Sequence, residues 1–379
     1  MAKKRKRKLK PIMKLFLFLI LITVIGLLCL SLRSNSAEVE NSNNNKKNEN
    51  KDKKLSLIMV GDALIHSSLY DDAYEDGKYN FDKMLSLIKP IVKDYDLSFY
   101  NQESILGGTK LGLSSYPAFN SPHEVGEAFT GAGFNLVSLA NNHTLDLGQK
   151  GTTSSNNYWK TKKNVLTSGS YNSLKEKNNI EIKETNGIKY ALLAYTTTTN
   201  GIEPKNDYYV NFYSENQVKK DIAKVRDEVD LLLVSMHWGK EYSSDITKEQ
   251  EEIATYLSNL EVDIIIGHHP HVIEPIDYVN NTLVIYSLGN FLSGQEGIDN
   301  RVGLMVSVDV EKNNDDITIS SPTATLTYTY YKESKVKTNF KVYPFDKLNN
   351  NILPRYESYY EEYMDIVTAR SGKVIKSPI

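Results

Sequence analysis

From Leu55 onward the chain repeatedly sets down a short apolar run and ends it on polar side chains. The runs are LSLIMVGD, DLSFYNQES, FNLVSLANNH, YALLAYTT, VDLLLVSMHWG, VDIIIGHHPH and LVIYSLGNF. Their Val, Ile, Leu and Phe content reads as buried strand. Between several of them lie helix-like stretches. NFDKMLSLIKPIVKDY and TKEQEEIATYLSNLE carry apolar residues at three-to-four spacing. SPHEVGEAFTGAG predicts another helix, with Ser121 as N-cap, Pro122 at its first position and glycines at its end. Strands alternating with helices predict an α/β domain. After about residue 310 the texture changes to the β alternation of ITISSPTATLTYTYY, and RYESYYEEYMDIV predicts a terminal helix followed by a tail.

The N-terminus is of another kind. MAKKRKRKLK is followed by LFLFLILITVIGLLCLSL, residues 15–32, which holds no charge. A transmembrane helix needs about 17–25 such residues. The basic head predicts a cytoplasmic N-terminus, so the expectation is a single-pass protein of the cell membrane with its main domain extracellular. A cleaved signal peptide and a lipoprotein signal are the rival readings. The run exceeds a hydrophobic signal core of roughly 7–15 residues, and SNSAE matches a cleavage site poorly. Leu28 before Cys29 fits lipoprotein processing badly. Residues 33–54 hold almost nothing apolar and predict a flexible tether. The expected organisation is a basic head (1–14), a transmembrane helix (15–32), the tether (33–54), a main domain (55–310) and a C-terminal β extension with a helical tail (311–379).

Nine of the 45 Lys and Arg residues lie in the first 33 positions, which leaves 36 against 47 acidic residues and a balance of −11 for the rest. Such an acidic body argues against nucleic acid as a partner. The one cysteine, Cys29, lies in the apolar run, so the body has no internal disulfide, thiol nucleophile or thiolate metal site.

The polar groups at the strand ends are Asp62 with His66, Asn101 with Glu103, Asn141-Asn142-His143 with Asp146, His237, His268-His269-Pro270-His271, and Ser287 with Asn290. In open α/β sheets ligands bind at the carboxyl ends of strands. Parallel strands bring six of the seven histidines to one rim, leaving His123 on a helix. Carboxylate, amide and imidazole groups without thiolates suit Mn, Fe or Zn. Asp62, His66, Glu103, Asn142, His237, His269 and His271 are too many ligands for one tetrahedral ion. Two ions bridged by a carboxylate, roughly 3.5–4 Å apart, use them all. Pro270 stiffens the turn between His269 and His271, and His268 points elsewhere.

Plainer readings stand beside these. Asp62 can cap a helix, Asn141 and Asn142 can form a turn, Glu103 can lie on the surface, and His237 can pack with Trp238. Asp146 either orients His143 or is a turn residue. Tyr286 and Asn290 read as turn and packing residues, whereas Glu241 and Tyr242 are substrate-side candidates.

Taken together, GDALIH, NQES, SLANNHTLDLG, HWGKEY, IIGHHPHVIEPI and IYSLGNF resemble the CapA family of poly-γ-glutamate capsule synthesis proteins. That family is similar to the calcineurin-type metallophosphoesterases, and the matching motifs run in family order over about residues 55–296. The resemblance implies a metallophosphatase-like layered β-sandwich flanked by helices. It assigns metal binding to Asp62, His66, Asn142, His237, His269 and His271, with Glu103 in the place of a bridging aspartate. It makes His143 an acid or transition-state stabiliser. Two features depart from the wider phosphoesterase pattern: three residues separate Asp62 from His66 instead of one, and NQES stands where G-D-x-x-D is usual. Metal binding is therefore supported more firmly than phosphoester hydrolysis. The implied role lies outside the cell, in assembling or exporting poly-γ-glutamate beside membrane-bound synthase or export subunits. The alternatives are an independent metal-dependent hydrolase and a non-catalytic binding module.

Overall fold

The computed structural model describes residues 53–314, 316–333 and 335–379. The basic head, the apolar run 15–32 and nearly all of the tether lie outside the described residues. Among the described residues no helix is long and apolar enough to cross a membrane.

Strands are numbered along the chain from β1 to β18. One sheet has the order β17 (Thr338–Pro344), β16 (Thr323–Lys332), β14 (Val302–Asn313), β1 (Lys53–Leu64), β4 (Leu97–Gln102), β5 (Leu136–Ser138) and β6 (Leu166–Ser168). Three short strands join it: β13 (Asn290–Ser293) on β1, β15 (Asp316–Ile319) on β14, and β18 (Ile375–Lys376) on β16. The other sheet has the order β11 (Ile276–Val279), β12 (Thr282–Ile285), β10 (Ile264–His268), β9 (Leu231–His237), β8 (Ile188–Thr196) and β7 (Lys183–Thr185). A separate hairpin pairs β2 (Tyr74–Glu75) with β3 (Lys78–Tyr79). The first-sheet strands β1, β4, β5 and β6 run parallel, as do β8, β9, β10 and β12 in the second.

Side chains on a strand alternate between faces, and that alternation builds the layers. Leu55, Leu57, Met59, Leu97 and Phe99 of the first sheet pack in one cluster with Leu192, Leu231, Leu233, Ile264 and Ile266 of the second. The intervening Ile58, Val60, Tyr100 and Val137 face away, onto Val125, Phe129 and Ala132 of the helix Glu124–Ala132. On the far side of the second sheet, Leu232, Val234 and Ile265 pack with Ile222 of the helix Glu215–Val225 and Leu257 of the helix Lys248–Asn259. The result is two mixed sheets face to face, each backed by helices. Both faces of the parallel strands are covered, which explains why they read as unbroken apolar runs.

Three expectations change in detail. The boundary expected at residue 310 falls inside β14, and the strands beyond it extend the first sheet. NFDKMLSLIKPIVKDY forms successive turns, with a helix only at Lys89–Val92. Pro90 has no N–H and occupies the first turn of that short helix, a position that proline tolerates but a helix interior does not. The helix Glu124–Ala132 is preceded by His123 at its cap. Ser121 instead donates its hydroxyl to Ser104 Oγ at 3.0 Å, across to the segment after β4.

Candidate metal centre

The alternation of β1 changes parity at its carboxyl end. Ile58 and Val60 face the helices, yet so do Ala63 and Ile65. Register shifts against β4 and β13 between Met59 and Ala63 account for the change. Such irregularities re-aim side chains, and here Asp62 turns into the space between the sheets. It lies between Asn101 of β4 and Asn290 of β13, and Asn101 Nδ2 donates to Asp62 Oδ1 at 2.9 Å. The regular alternation of β4, with Leu97 and Phe99 facing inward, leaves Asn101 and Glu103 on the same side.

The second sheet supplies imidazoles. His237 and His268 are register partners at the ends of β9 and β10. Beyond them His269 and His271 both take positive φ, +101° and +60°, on either side of Pro270. Left-handed backbone at a non-glycine residue is strained and persists where surrounding structure holds it. The turn thus sends two successive histidines into one space.

Two groups of ligand atoms result. Glu103, His237 and His269 form one, and Asp62, Glu103 and His271 the other, with the ligand atoms of each group within 4.8 Å of one another. Glu103 belongs to both. Its Oε1 lies 3.7 Å from His237 Nε2 and 3.7 Å from His271 Nε2. Both carboxylate oxygens are buried without a hydrogen-bond partner, as is His269 Nδ1. Buried polar atoms are normally satisfied, so these orphaned donors of electron pairs fit a divalent cation. The set contains only oxygen and nitrogen donors, which suits the harder transition metals.

The electrostatics of His237, His269 and Asp62 suit a cation. Burial drives the His237 imidazole well below its usual range, reinforced by His269. Burial, with His271 adding to it, lowers His269 to about 4. Both rings are therefore neutral and offer a lone pair, the form that binds metal. Burial alone raises the Asp62 carboxyl, but His268 and His271 outweigh it and hold Asp62 well below the usual carboxylate range. Burial pushes Glu103 well above that range; His271 eases the effect and Asp62 adds to it. Burial works to lower His271, yet Glu103 and Asp62 lift it to about 9.

Asn142 completes the inner ring of groups, with Oδ1 3.0 Å from His237 Nε2. His143 and Asp146 form a pair, Nδ1 to Oδ2 at 2.8 Å, and the Asn141 side chain braces the His143 backbone N–H at 3.0 Å. His66 belongs to neither ligand group. Its Nδ1 lies 3.1 Å from the Leu64 carbonyl, and its ring meets the edge of Phe119, which also contacts His143. His268 stacks on Phe99 and brings Nδ1 to 3.2 Å from Asp62 Oδ1, outside hydrogen-bond alignment. Asn290, read as a turn residue, instead bonds His271 Nδ1 through Oδ1 at 3.1 Å. Gln295 and Phe119 carried no sequence signal, because neither ends an apolar run.

The description "Bacterial capsule synthesis protein PGA_cap" names the family whose sequence pattern matches residues 56–295, more than half of the chain. The chain belongs to this family. Every residue of the two ligand groups lies inside the matched span. Among relatives of this capsule synthesis family, the "Capsule biosynthesis protein CapA" of Bacillus anthracis is 29% identical over 252 residues, covering 64% of this chain and 60% of that protein. The "PGA biosynthesis protein CapA" of Bacillus subtilis (strain 168) is 30% identical over 182 residues, covering 48% of each. The chain thus spans about half to three-fifths of the curated relatives it matches. The solved structure of a hypothetical protein from Thermus thermophilus is similar at 15% identity and a TM-score of 0.45, covering 71% of this chain and 98% of that one. The purple acid phosphatase PPD1 of yellow lupin seeds is similar at 12% identity and a TM-score of 0.36, covering 76% and 53%.

Proposed function

We propose that this chain is a membrane-anchored, extracellular component of poly-γ-glutamate capsule synthesis or export that works through a two-cation centre. The observation that carries the reading is the sharing of buried Glu103 between two ligand groups within the span that matches the capsule synthesis family. The uncharged run 15–32 behind its basic head supports the anchor, with the body outside. The partners are the polymer and the synthase or export subunits in the same membrane.

In this reading Glu103, which belongs to both groups, would be shared by the two cations. His237, His269 and Asn142 stand on one side of it, and Asp62 with His271 on the other. Divalent cations, Mn, Fe or Zn, supply charge neutralisation and Lewis acidity to a bound oxyanion. That also addresses an electrostatic conflict: a body with a balance of −11 repels an anionic polymer except where cations are held. His143 is held through Nδ1 by Asp146, which leaves its other nitrogen for chemistry.

The His143–Asp146 pair favours a second reading, an independent metal-dependent hydrolase at the cell surface. A non-catalytic module would bind cations without turnover. Deleting the gene and measuring surface poly-γ-glutamate tests the first reading, with complementation by wild type and by the double variant H269A/H271A. Loss of polymer restored only by wild type is expected. Unchanged polymer after deletion sinks the capsule assignment. Cation-dependent turnover of model phosphoesters by the purified protein, abolished in the double variant, favours the hydrolase.

A further inference from the structure

Tyr242 stands beside the metal centre with a φ of +62°, a strained conformation for a non-glycine residue. Two tethers hold it there. Its backbone N–H donates to the Pro270 carbonyl at 2.8 Å, between His269 and His271. Its hydroxyl oxygen accepts from Gln295 Nε2 at 3.2 Å. The residue nevertheless remains 58% exposed, and its ring centroid is 5.9 Å from that of His271.

The hydroxyl tether is the end of an amide chain that runs in one direction. Asn290 Nδ2 donates to Gln295 Oε1 at 2.8 Å and to the Asn300 carbonyl at 2.9 Å. Both amide hydrogens are used, so Asn290 must turn its oxygen to His271 Nδ1, which lies 3.1 Å away. With Oε1 of Gln295 occupied as an acceptor, its nitrogen is the atom that faces Tyr242. A phenol oxygen that accepts from Gln295 points its own proton away from it. Among the described residues no acceptor takes that proton.

We propose that the Tyr242 hydroxyl donates this proton to an anionic oxygen, carboxylate or phosphoryl, of a substrate held at the cations. Gln295 and Asn290 are positioning residues that fix the direction of the donor. The inference rests on the two-cation reading above. It explains why an exposed aromatic is tethered once to the loop that carries His269 and His271 and once to Gln295. The neighbouring Glu241 is exposed and acidic, so it opposes an anion until cations fill the centre.

The test uses the full chain in detergent, loaded with Mn. Cation content is measured first, and then inorganic phosphate and a γ-glutamyl oligomer are titrated separately by calorimetry. Y242F is expected to keep the wild-type cation content and to bind at least one of the two anions about tenfold more weakly, as befits one lost bond to a charged group. Q295E still accepts from Asn290 but offers the phenol an acceptor, turning the proton inward; it should weaken the same anion. The double variant Y242F/Q295E should lose less than the sum of the two single changes, because both remove the same bond and only the repulsion of the added carboxylate remains. Loss in the phosphate arm identifies a phosphoryl oxygen, and loss in the oligomer arm a carboxylate. Y242F alone decides the matter if Q295E does not fold. Wild-type affinity of Y242F for both anions at equal cation content overturns the proposal. A wild-type protein that takes up no cation overturns the metal reading itself, and this contact with it.

Discussion

His143 Nδ1 and Asp146 Oδ2 lie 2.8 Å apart, with the two side chains only 6% and 2% exposed. The same carboxylate oxygen accepts the Phe119 backbone N–H at 2.6 Å, so it is fixed from two directions. A carboxylate on one imidazole nitrogen sets the tautomer and orientation of the ring, leaving the other nitrogen for chemistry. D146N keeps the shape and disturbs that tautomer. In the hydrolase reading, turnover of a model phosphoester should fall about 10–100-fold with cation content unchanged, read by assay beside elemental analysis. Parallel loss of activity and cation would mean that Asp146 serves the fold of the site instead.

Glu103 is costly as an unpartnered buried carboxyl. Burial raises its pKa well above the ordinary carboxylate value of 4.5. A raised acid favours the protonated native state, so its contribution is present below the unfolded pKa and lost as pH rises. In chelator-treated protein, stability should therefore fall above about pH 4.5, by up to about 1.4 kcal/mol per pH unit for the single proton. E103Q removes the charge and should raise the Tm of chelated protein at pH 7. Adding Mn should reverse the order: wild type gains about 2.7 kcal/mol at a hundred times its Kd, and E103Q gains little. Differential scanning with and without chelator measures both. Equal Mn stabilisation of the two proteins would remove Glu103 from the ligand set.

The strand ends were readable because each apolar run stops abruptly on groups that a core does not accept. Glu103, Asn142, His237, His269 and His271 follow from that pattern together with parallel strands. The direction of Asp62 does not. Counted by alternation from Ile58 and Val60 it belongs on the helix-covered face, and only the shifted pairing with β4 and β13 turns it inward. Gln295 was illegible for a related reason: it reaches Tyr242 across 53 residues of sequence, and no local spacing encodes that. NFDKMLSLIKPIVKDY misled because its apolar spacing is helical while Pro90 confines the helix to its last turn.

Glu274 is a buried carboxyl away from both ligand groups. Burial lifts its pKa to about 8, although Gln250 Nε2 donates to it at 2.6 Å and works the other way. Gln250 in turn completes the capping box of the helix Lys248–Asn259 with Thr247. Because the folded value lies above the unfolded one, the contribution of Glu274 to stability is greatest below about pH 4.5 and declines until about pH 8. E274Q is expected to flatten that decline by up to one proton's worth, about 1.4 kcal/mol per pH unit, in urea unfolding at a series of pH values. The same slope in E274Q and wild type would show that Glu274 ionises freely in the fold.

Gly61 precedes Asp62 where β1 leaves the register of its neighbours, and the Asp62 N–H donates to the Gly289 carbonyl at 3.0 Å. A Cβ on Gly61 would stand 1.8 Å from that same carbonyl oxygen. No flexible side chain is available to yield; the strand or the loop at Gly289 must move. G61A should cost about 2–3 kcal/mol by overpacking, and the shift should carry Asp62 away from His271. Reduced urea stability together with reduced cation uptake is the expected pair of results. Full cation uptake in a destabilised G61A would show that Asp62 does not need this register to serve as a ligand.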